Sequence, residues 1–505
     1  MSIVYELQKD TYYDSVTLML VSSDLKKEPG VEEVVVGMGT DYNIDSLKRL
    51  DMFKPELEKA TPNDLIFCIK ADDEATAGSA LKRAQQLLTE KKSAKSTSGY
   101  NPPTQESAGK EMPDANMVII SIPGEHAFKE ADQALDNDRH VMLFSDNVSI
   151  EEELKLKKKA VEKELLMMGP DCGTAIINSL PLAFANEVRE GNVGIVAASG
   201  TGLQEVSSII HRLGGGISQG IGVGGRDLSE DIGGLMTIQA AQALEEDPRT
   251  DVILLVSKPP AKSVLKKLFA ELKNLNKPVV VFFIGADPAL IEAEGFNAAA
   301  NLEDAAVKTC RLAADKDIKP LMSDEEIKDM AAGISLTGKY LRGLYSGGTL
   351  CDEAQLLLQE LDGDIYSNTP VEGCKELNDL YESKNHTIID LGEDEFTRGR
   401  AHPMIDPTLR QERIVQEFKD RETAVIMLDV VLGSGSHPDM AGALVEAIEK
   451  GRSETTNRPL ITASLCGTDE DFQDYAKQQK ILEDAGVKVF PSNVSMVKFV
   501  KSLLA

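Results

Sequence analysis

Two short stretches of this chain gather the residue types that hold small anions. In "EGNVGIVAASGTGLQEVSSII", residues 190–210, an apolar run passes through Ser199, Gly200, Thr201 and Gly202 into a segment of helical period. The second stretch, Tyr345, Ser346, Gly347, Gly348 and Thr349, repeats the arrangement. Aligning "GTGLQEVSSII" with "GTLCDEAQLLL" puts a glutamate four residues after the threonine in both, Glu205 and Glu353. At a helix start several N–H groups lack acceptors and the dipole is positive, so a small anion is stabilised there whatever the net charge of the protein. Glycine lets the backbone approach the ligand, and the hydroxyls either cap the helix or bond the anion. For either turn alone both readings stay open. The echo favours the anion, and with it an anion cradle made of Ser199, Gly200, Thr201, Gly202, Ser346, Gly347, Gly348 and Thr349.

Other polar clusters offer partners for such a site. "MMGPDCGTAII" sets Asp171 and Cys172 in a Gly/Pro turn, where a structural turn with a half-buried cysteine outweighs a nucleophile. "RGRAHPMIDPTLR" packs Arg398, Arg400, His402, Asp406 and Arg410 into thirteen residues with two prolines, and substrate binding and a solvated loop fit it equally. "GSGSHPDMAG" places His437 and Asp439 in a further strand-to-helix turn. Ser199 and Ser346 lack the leading glycine of a nucleophile elbow. "GIGVGG" has dinucleotide spacing but is followed by polar "RDLSEDIGG" instead of an apolar-faced helix. P-loop, H-E-x-x-H and EF-hand patterns are absent, and no metal is expected.

The elements that must carry these turns alternate. Short apolar runs such as "DLIFCIK", "NVGIVAA", "DVILLVS", "PVVVFFI" and "AVIMLDVV" lead through Gly, Pro or Asp turns into helical-period segments, the pattern of parallel sheets with crossover helices. The segment 91–115, rich in Ser, Lys, Gly and Pro, reads as a mobile loop, and 316–335 as a charged helical connector. The expected organisation is α/β with three doubly wound parallel-sheet domains, at 1–188, 189–315 and 336–505.

Bulk composition narrows the partners. With 505 residues the chain is long enough for several cores. A net charge of -29, from 54 basic and 83 acidic residues, disfavours nucleic acid and anionic membrane. The six cysteines are scattered without C-x-x-C pairs, as in a reducing cytosol, so a cytoplasmic location is expected. No apolar run is long enough to span a bilayer, and "MSIVYELQKD" lacks signal-peptide order.

The longer strings resemble known families. "IPGEHAFKEADQAL", "MMGPDCGTAII", "GNVGIVAASGTGLQEV", "GIGVGGRDLSEDIGG" and "DPRTDVILLVSKPP" resemble the alpha subunit of succinyl-CoA synthetase, in that order. "HTIIDLGEDEF", "VIMLDVVLGSGSHPDMAGALVEAI" and "LEDAGVKVF" resemble the carboxy-terminal domain of its beta subunit. Across essentially the whole chain, "YYDSVTLML", "GLYSGGTLCDEA", "AHPMIDPTLR" and "LGSGSHPD" are similar to the FdrA/YahF family. The synthetase resemblance implies a Rossmann-like, CoA-binding-type domain at 1–188 and flavodoxin-like domains at 189–315 and 336–505, with the helix starts at Ser199–Gly202 and Ser346–Thr349 facing each other across a phosphate, together with CoA and a nucleotide.

Three departures bear on what that resemblance implies. The loop after "PVVVFFIGA" reads "DPALIEAEGFNAAANLEDAA", with no histidine where the synthetases carry a phosphohistidine. The glycine-rich CoA loop is replaced by "KDTYYDSVTLML", whose Tyr12, Tyr13 and Asp14 speak against CoA. No nucleotide-binding module lies between the last two domains. What the FdrA resemblance then implies is a subunit of a phosphate-dependent carbamoyl- or acyltransferase like oxamate carbamoyltransferase of allantoin degradation, using phosphate or carbamoyl phosphate. Its expected partners are a small carboxylate or carbamoylated substrate, further copies of itself and co-encoded subunits. Arg400, His402 and Asp171 are the catalytic candidates, and Asp14, Ser15, Cys172 and Arg410 the substrate-binding ones. The alternatives are an ADP-forming acid–CoA ligase and a non-catalytic scaffold.

Overall fold

The computed structural model describes residues 2–11, 13, 15–26, 28–94, 102–397 and 400–504. They divide into two compact units, Met1–Pro102 with Gly392–Asp406, and Pro103–Leu391 with Pro407–Ala505.

In the first unit, strand Leu65–Ala71 lies between Ser2–Gln8 and Val31–Met38 and is antiparallel to both. Its side chains alternate in direction. Leu65, Phe67 and Ile69 pack with Leu18, Val21 and Leu25 of helix Ser15–Lys26 and with Ala77, Ala80 and Ala84 of helix Glu74–Ala94. Ile66 and Cys68 pack the other way, against Ile44, Leu47 and Met52. This corrects the expected single Rossmann-like domain over 1–188. A strand covered on both faces is apolar at every position whether its neighbours run parallel or antiparallel, so "DLIFCIK" mimics a parallel-sheet strand.

The second unit holds three sheets, the smallest being Met117–Ile120, His140–Leu143 and Met167–Met168, all parallel. A seven-stranded sheet is ordered Asn297–Ala298, Val279–Phe283, Val252–Ser257, Glu190–Ala197, Ile217–Gly222, Thr174–Ile177 and Leu180–Ala183. Its first five strands are parallel, and the hairpin Thr174–Ala183 is added antiparallel at one edge. The expected boundary at 188 therefore cuts through a sheet.

The third sheet, wholly parallel, is ordered Lys375–Glu376, Ile365–Ser367, His386–Asp390, Tyr340–Tyr345, Thr423–Val431, Leu460–Cys466 and Lys488–Phe490. The chain is thus mixed α/β with parallel-sheet domains. In the expected loop 91–115, helix Glu74–Ala94 enters from one side and a capped helix, Gln105–Glu111, occupies the other. Residues 95–101 lie outside the described residues.

Candidate functional site

Both cradle turns sit at carboxyl ends of central parallel strands, the place where open α/β sheets meet ligands. Strand Glu190–Ala197 delivers Ser199, whose hydroxyl accepts a hydrogen bond from the Gly202 N–H at 2.9 Å and caps the first cradle helix, Gly200–Arg212. Strand Tyr340–Tyr345 delivers Ser346 and Gly347 to the second cradle helix, Gly348–Leu358. The two helix starts meet. The Ser199 and Thr349 hydroxyls are hydrogen-bonded to each other, and a Cβ built on Gly347 would lie 2.8 Å from Thr201 Cγ2. Gly347 keeps φ at -111°, so what it supplies is room for this approach rather than left-handed backbone. Among the described residues, the N–H groups of Gly200, Thr201, Gly348 and Thr349 have no protein acceptor. Ser199 and Thr201 of the first turn thus meet Thr349 and Gly347 of the second.

The second helix start is capped by a residue the sequence reading missed. Asp429, fully buried in strand Thr423–Val431, accepts from Ser346 N–H (2.8 Å), Gly347 N–H (2.8 Å) and the Ser346 hydroxyl (3.0 Å). Arg410 lies behind it. Its Nη2 donates to Asp429 Oδ1 (3.0 Å), Asp429 O (2.7 Å) and Leu344 O (3.1 Å), and its Nη1 to Ser346 Oγ (3.4 Å). Arg410 is fully buried, which corrects its expected role: this guanidinium braces the turn instead of gripping a substrate carboxylate. Asp390, ending strand His386–Asp390, comes so close that a Cβ on Gly348 would lie 2.5 Å from its Oδ2. At the end of strand Val252–Ser257, the half-exposed Lys258 pairs with Asp352 of the second cradle helix at 3.3 Å. Asp429 and Asp390 had a legible signal, a carboxylate inside the apolar runs "AVIMLDVV" and "HTIID".

The remaining expected residues fall elsewhere. Cys172 is buried, its Sγ against Gly222 O (3.3 Å) and Thr174 O (3.5 Å), and burial pushes its thiol up to about 12. It is neither a substrate ligand nor a nucleophile. Iodoacetamide at pH 8 is expected to leave Cys172 unmodified in the folded protein and to label it after denaturation, read by peptide mass. Asp171 is exposed beyond strand Met167–Met168, with its N–H on Ser145 O at 3.0 Å. From that turn it is Thr174 that reaches the cradle, its Oγ1 3.2 Å from where a Gly200 Cβ would be. Arg400 and His402 belong to the first unit, where Arg400 Nη2 donates to Ser46 Oγ (3.4 Å) and His402 Nδ1 accepts from Met404 N–H (3.2 Å). The expected grouping of Arg400, His402 and Arg410 in one rigid loop is therefore divided between two units, because the chain changes units at Asp406 and Pro407. Asp14, with Tyr12 and Arg398, lies outside the described residues, and Ser15 is described only as the first residue of helix Ser15–Lys26.

Comparison with known proteins agrees with this layout. Residues 344–503 match the CoA-ligase family, residues 188–285 the CoA binding domain, and residues 1–104 the family described as AllF, heavy metal-associated domain. The CoA binding match therefore falls on the sheet that carries Ser199, not on 1–188 as expected. The YahF protein of Escherichia coli (strain K12) is 44% identical over 503 residues, 98% of this chain and 97% of that protein. Subunit alpha 1 of the ADP-forming succinate–CoA ligase of Archaeoglobus fulgidus is 27% identical over 179 residues, 34% of this chain and 59% of the subunit. Among solved structures, ATP citrate lyase from Methanothrix soehngenii in complex with citrate and coenzyme A matches with a TM-score of 0.37 and 15% identity, over 46% of this chain and 47% of that one. The apo dinucleotide-forming acetyl-coenzyme A synthetase 1 of Ca. Korarchaeum cryptofilum matches with a TM-score of 0.34 and 15% identity, over 79% and 84%. The chain is succinyl-CoA synthetase-like, with CoA-ligase-type and CoA-binding domains.

The heavy-metal description does not suit the residues present. Thiophilic metals are held by thiolates, and the one cysteine of residues 1–104 is Cys68, buried with its thiol pushed up to about 11. Among the described residues no group of His, Cys, Asp and Glu could hold a metal ion, and no helix is long and apolar enough to cross a membrane.

Proposed function

The chain belongs to the FdrA/YahF family, and from that membership and the facing helix starts we propose an acyl-transferring enzyme subunit of the CoA-ligase type that holds phosphate, or the phosphoryl end of an acyl phosphate, between Ser199–Gly202 and Ser346–Thr349. The observation that carries this reading is the meeting of two helix N-termini through Ser199 and Thr349, with N–H groups of Gly200, Thr201, Gly348 and Thr349 left without acceptors. Such fixed donors orient a phosphate oxygen for attack on a carbonyl and stabilise the charge that develops. CoA would supply the thiol that exchanges with phosphate at the acyl carbon, and the match of residues 188–285 to the CoA binding domain supports its relevance.

A second reading is phosphate-dependent carbamoyl transfer, as in oxamate carbamoyltransferase. It is favoured by one observation: residues 284–305, after strand Val279–Phe283, contain no histidine to carry a phosphoryl group, so phosphate would react while free. The two readings separate in one set of assays, run with the chain alone and with co-encoded subunits. CoA-dependent thermal stabilisation with acyl phosphate formed from a thioester and phosphate supports the ligase type. Turnover of carbamoyl phosphate with oxamate in the absence of CoA supports carbamoyl transfer. Neither activity under any combination sinks both. For the cradle itself, Thr201→Val and Thr349→Val are each expected to weaken phosphate protection against thermal unfolding about three- to tenfold in half-saturating concentration. Unchanged protection would make these hydroxyls ordinary helix-start groups.

A further inference from the structure

Glu205 and Glu353, the paired glutamates of the sequence echo, lie beneath the cradle and make no contact that a bound anion would need. Each is one helical turn, about 6 Å along the axis, from its cradle threonine. They are 1% and 3% exposed. Asn493, the first residue of helix Asn493–Leu504, ties them together: its N–H donates to Glu205 Oε1 (2.9 Å) and its Nδ2 to Glu353 Oε2 (2.8 Å) and Leu350 O (3.0 Å). Its Oδ1 accepts from the Tyr345 hydroxyl at 3.0 Å, at the end of the strand that delivers Ser346. Glu353 Oε1 accepts from Leu302 N–H at 2.9 Å, and the adjoining Glu303 is the third carboxyl of the cluster. Glu205 Oε2 and Glu303 Oε1 are buried without a hydrogen-bond partner among the described residues.

The surrounding charges do not neutralise these three acids. Arg212, on the first cradle helix, bonds Tyr475 OH and Pro491 O, and Lys498 is bonded to Asp324; both cations lower the acids they face, but by less than burial raises them. Asp429 adds negative charge beside Glu205 from its strand, while Tyr345, Cys351, Cys466 and Tyr475 are held neutral by burial. Three carboxyl groups in a dry space with so little compensation cannot all be ionised, so the cluster holds protons in the neutral range. Burial raises all three, Glu303 to about 7 and Glu353 to about 8.

We propose that the cluster of Glu205, Glu303 and Glu353 is the charge compensator of the cradle, taking up a proton from solvent when an oxyanion binds between the two helix starts. This rests on the phosphate reading of the cradle. A negative charge arriving about one turn above the cluster raises its proton affinity, and by linkage protonation strengthens the anion's binding. The proton comes from buffer and no covalent bond changes. The ligand class is thereby narrowed to small oxyanions carrying two negative charges, for which uptake of a proton removes like-charge repulsion.

The test is calorimetric titration of the full chain at pH 7.5 in HEPES and in Tris, whose ionisation heats differ. Sulfate is the principal probe because it does not itself titrate there, and inorganic phosphate is the second. Wild type is expected to take up about 0.3–1 proton per anion bound, seen as a buffer-dependent heat. Glu205→Gln, isosteric and neutral, should still bind but with uptake reduced at least about twofold. Anion binding with no buffer dependence in wild type overturns the coupling and leaves the cradle standing. Binding of neither anion overturns the cradle reading and the coupling with it. The wild-type measurement decides the matter even if the variant fails to fold.

Discussion

Replacing Asp429 with alanine is expected to lower the stability of the second unit by about 3–5 kcal/mol, the range for breaking a buried ion pair by removing one partner. The change leaves the Arg410 guanidinium buried beside carbonyls alone and strips Ser346 N–H, Gly347 N–H and the Ser346 hydroxyl of their acceptor. Arg410 has already lost part of its preference for the charged form through desolvation, offset by Asp429. Asp429→Asn keeps one acceptor oxygen but turns an amide donor toward a donor, so a smaller loss of about 1–3 kcal/mol is expected. Urea unfolding followed by far-UV circular dichroism reads both. The order Ala worse than Asn, with both well below wild type, identifies Asp429 as the cap that positions Ser346 to Thr349. A loss under 1 kcal/mol for Asp429→Ala would show that water or a rearranged Arg410 supplies the missing partner.

The parts of this molecule that were legible in the sequence are those where local chemistry and tertiary context agree. Ser199 to Gly202 and Ser346 to Thr349 were readable because a buried strand, a small-residue turn and a helical period follow one another within about twenty residues. The parallel sheets followed from strands such as "DVILLVS" that alternate with helices. Leu65–Ala71 misled for a reason of packing: with helices on one face and Ile44, Leu47 and Met52 on the other, its antiparallel pairing leaves no polar alternation to read. Arg410 misled because a run of charged residues around prolines looks like a surface loop, whereas its partner, Asp429, lies nineteen residues on in a central strand. Nothing local announces such a pair. Nor does anything in "RGRAHPMIDPTLR" mark the passage between units at Asp406 and Pro407. The lone aspartate of "AVIMLDVV" was the better clue, since a carboxylate in a buried strand is retained only when it has donors to satisfy.

The buried glutamates are expected to lower stability as pH rises from about 4.5 to about 8, and the sign follows from the carboxyl cluster. An ordinary glutamate ionises near 4.5, while burial holds Glu303 near 7 and Glu353 near 8 in the folded chain. Below 4.5 both states carry these protons and the glutamates cost nothing. Between 4.5 and the folded values the unfolded chain has released protons that the folded chain still holds, so rising pH favours unfolding, and beyond about 8 the loss is complete. For Glu303 alone the displacement corresponds to roughly 3 kcal/mol, to order of magnitude. His140 and His386 act with the opposite sign, because burial lowers their proton affinity. Their destabilising charge is relieved as pH climbs to 6.5, and above that the glutamates dominate. Exposed acids such as Asp469, lowered by hydrogen bonding to His211, titrate far below this window. Glu303→Gln removes one ionisation and fills an unpartnered position with a neutral amide, so its urea midpoint should gain on that of wild type as pH rises from about 4.5 to 7, with the two curves converging at the acid end. Parallel curves would mean that water reaches the cluster and solvates its charge.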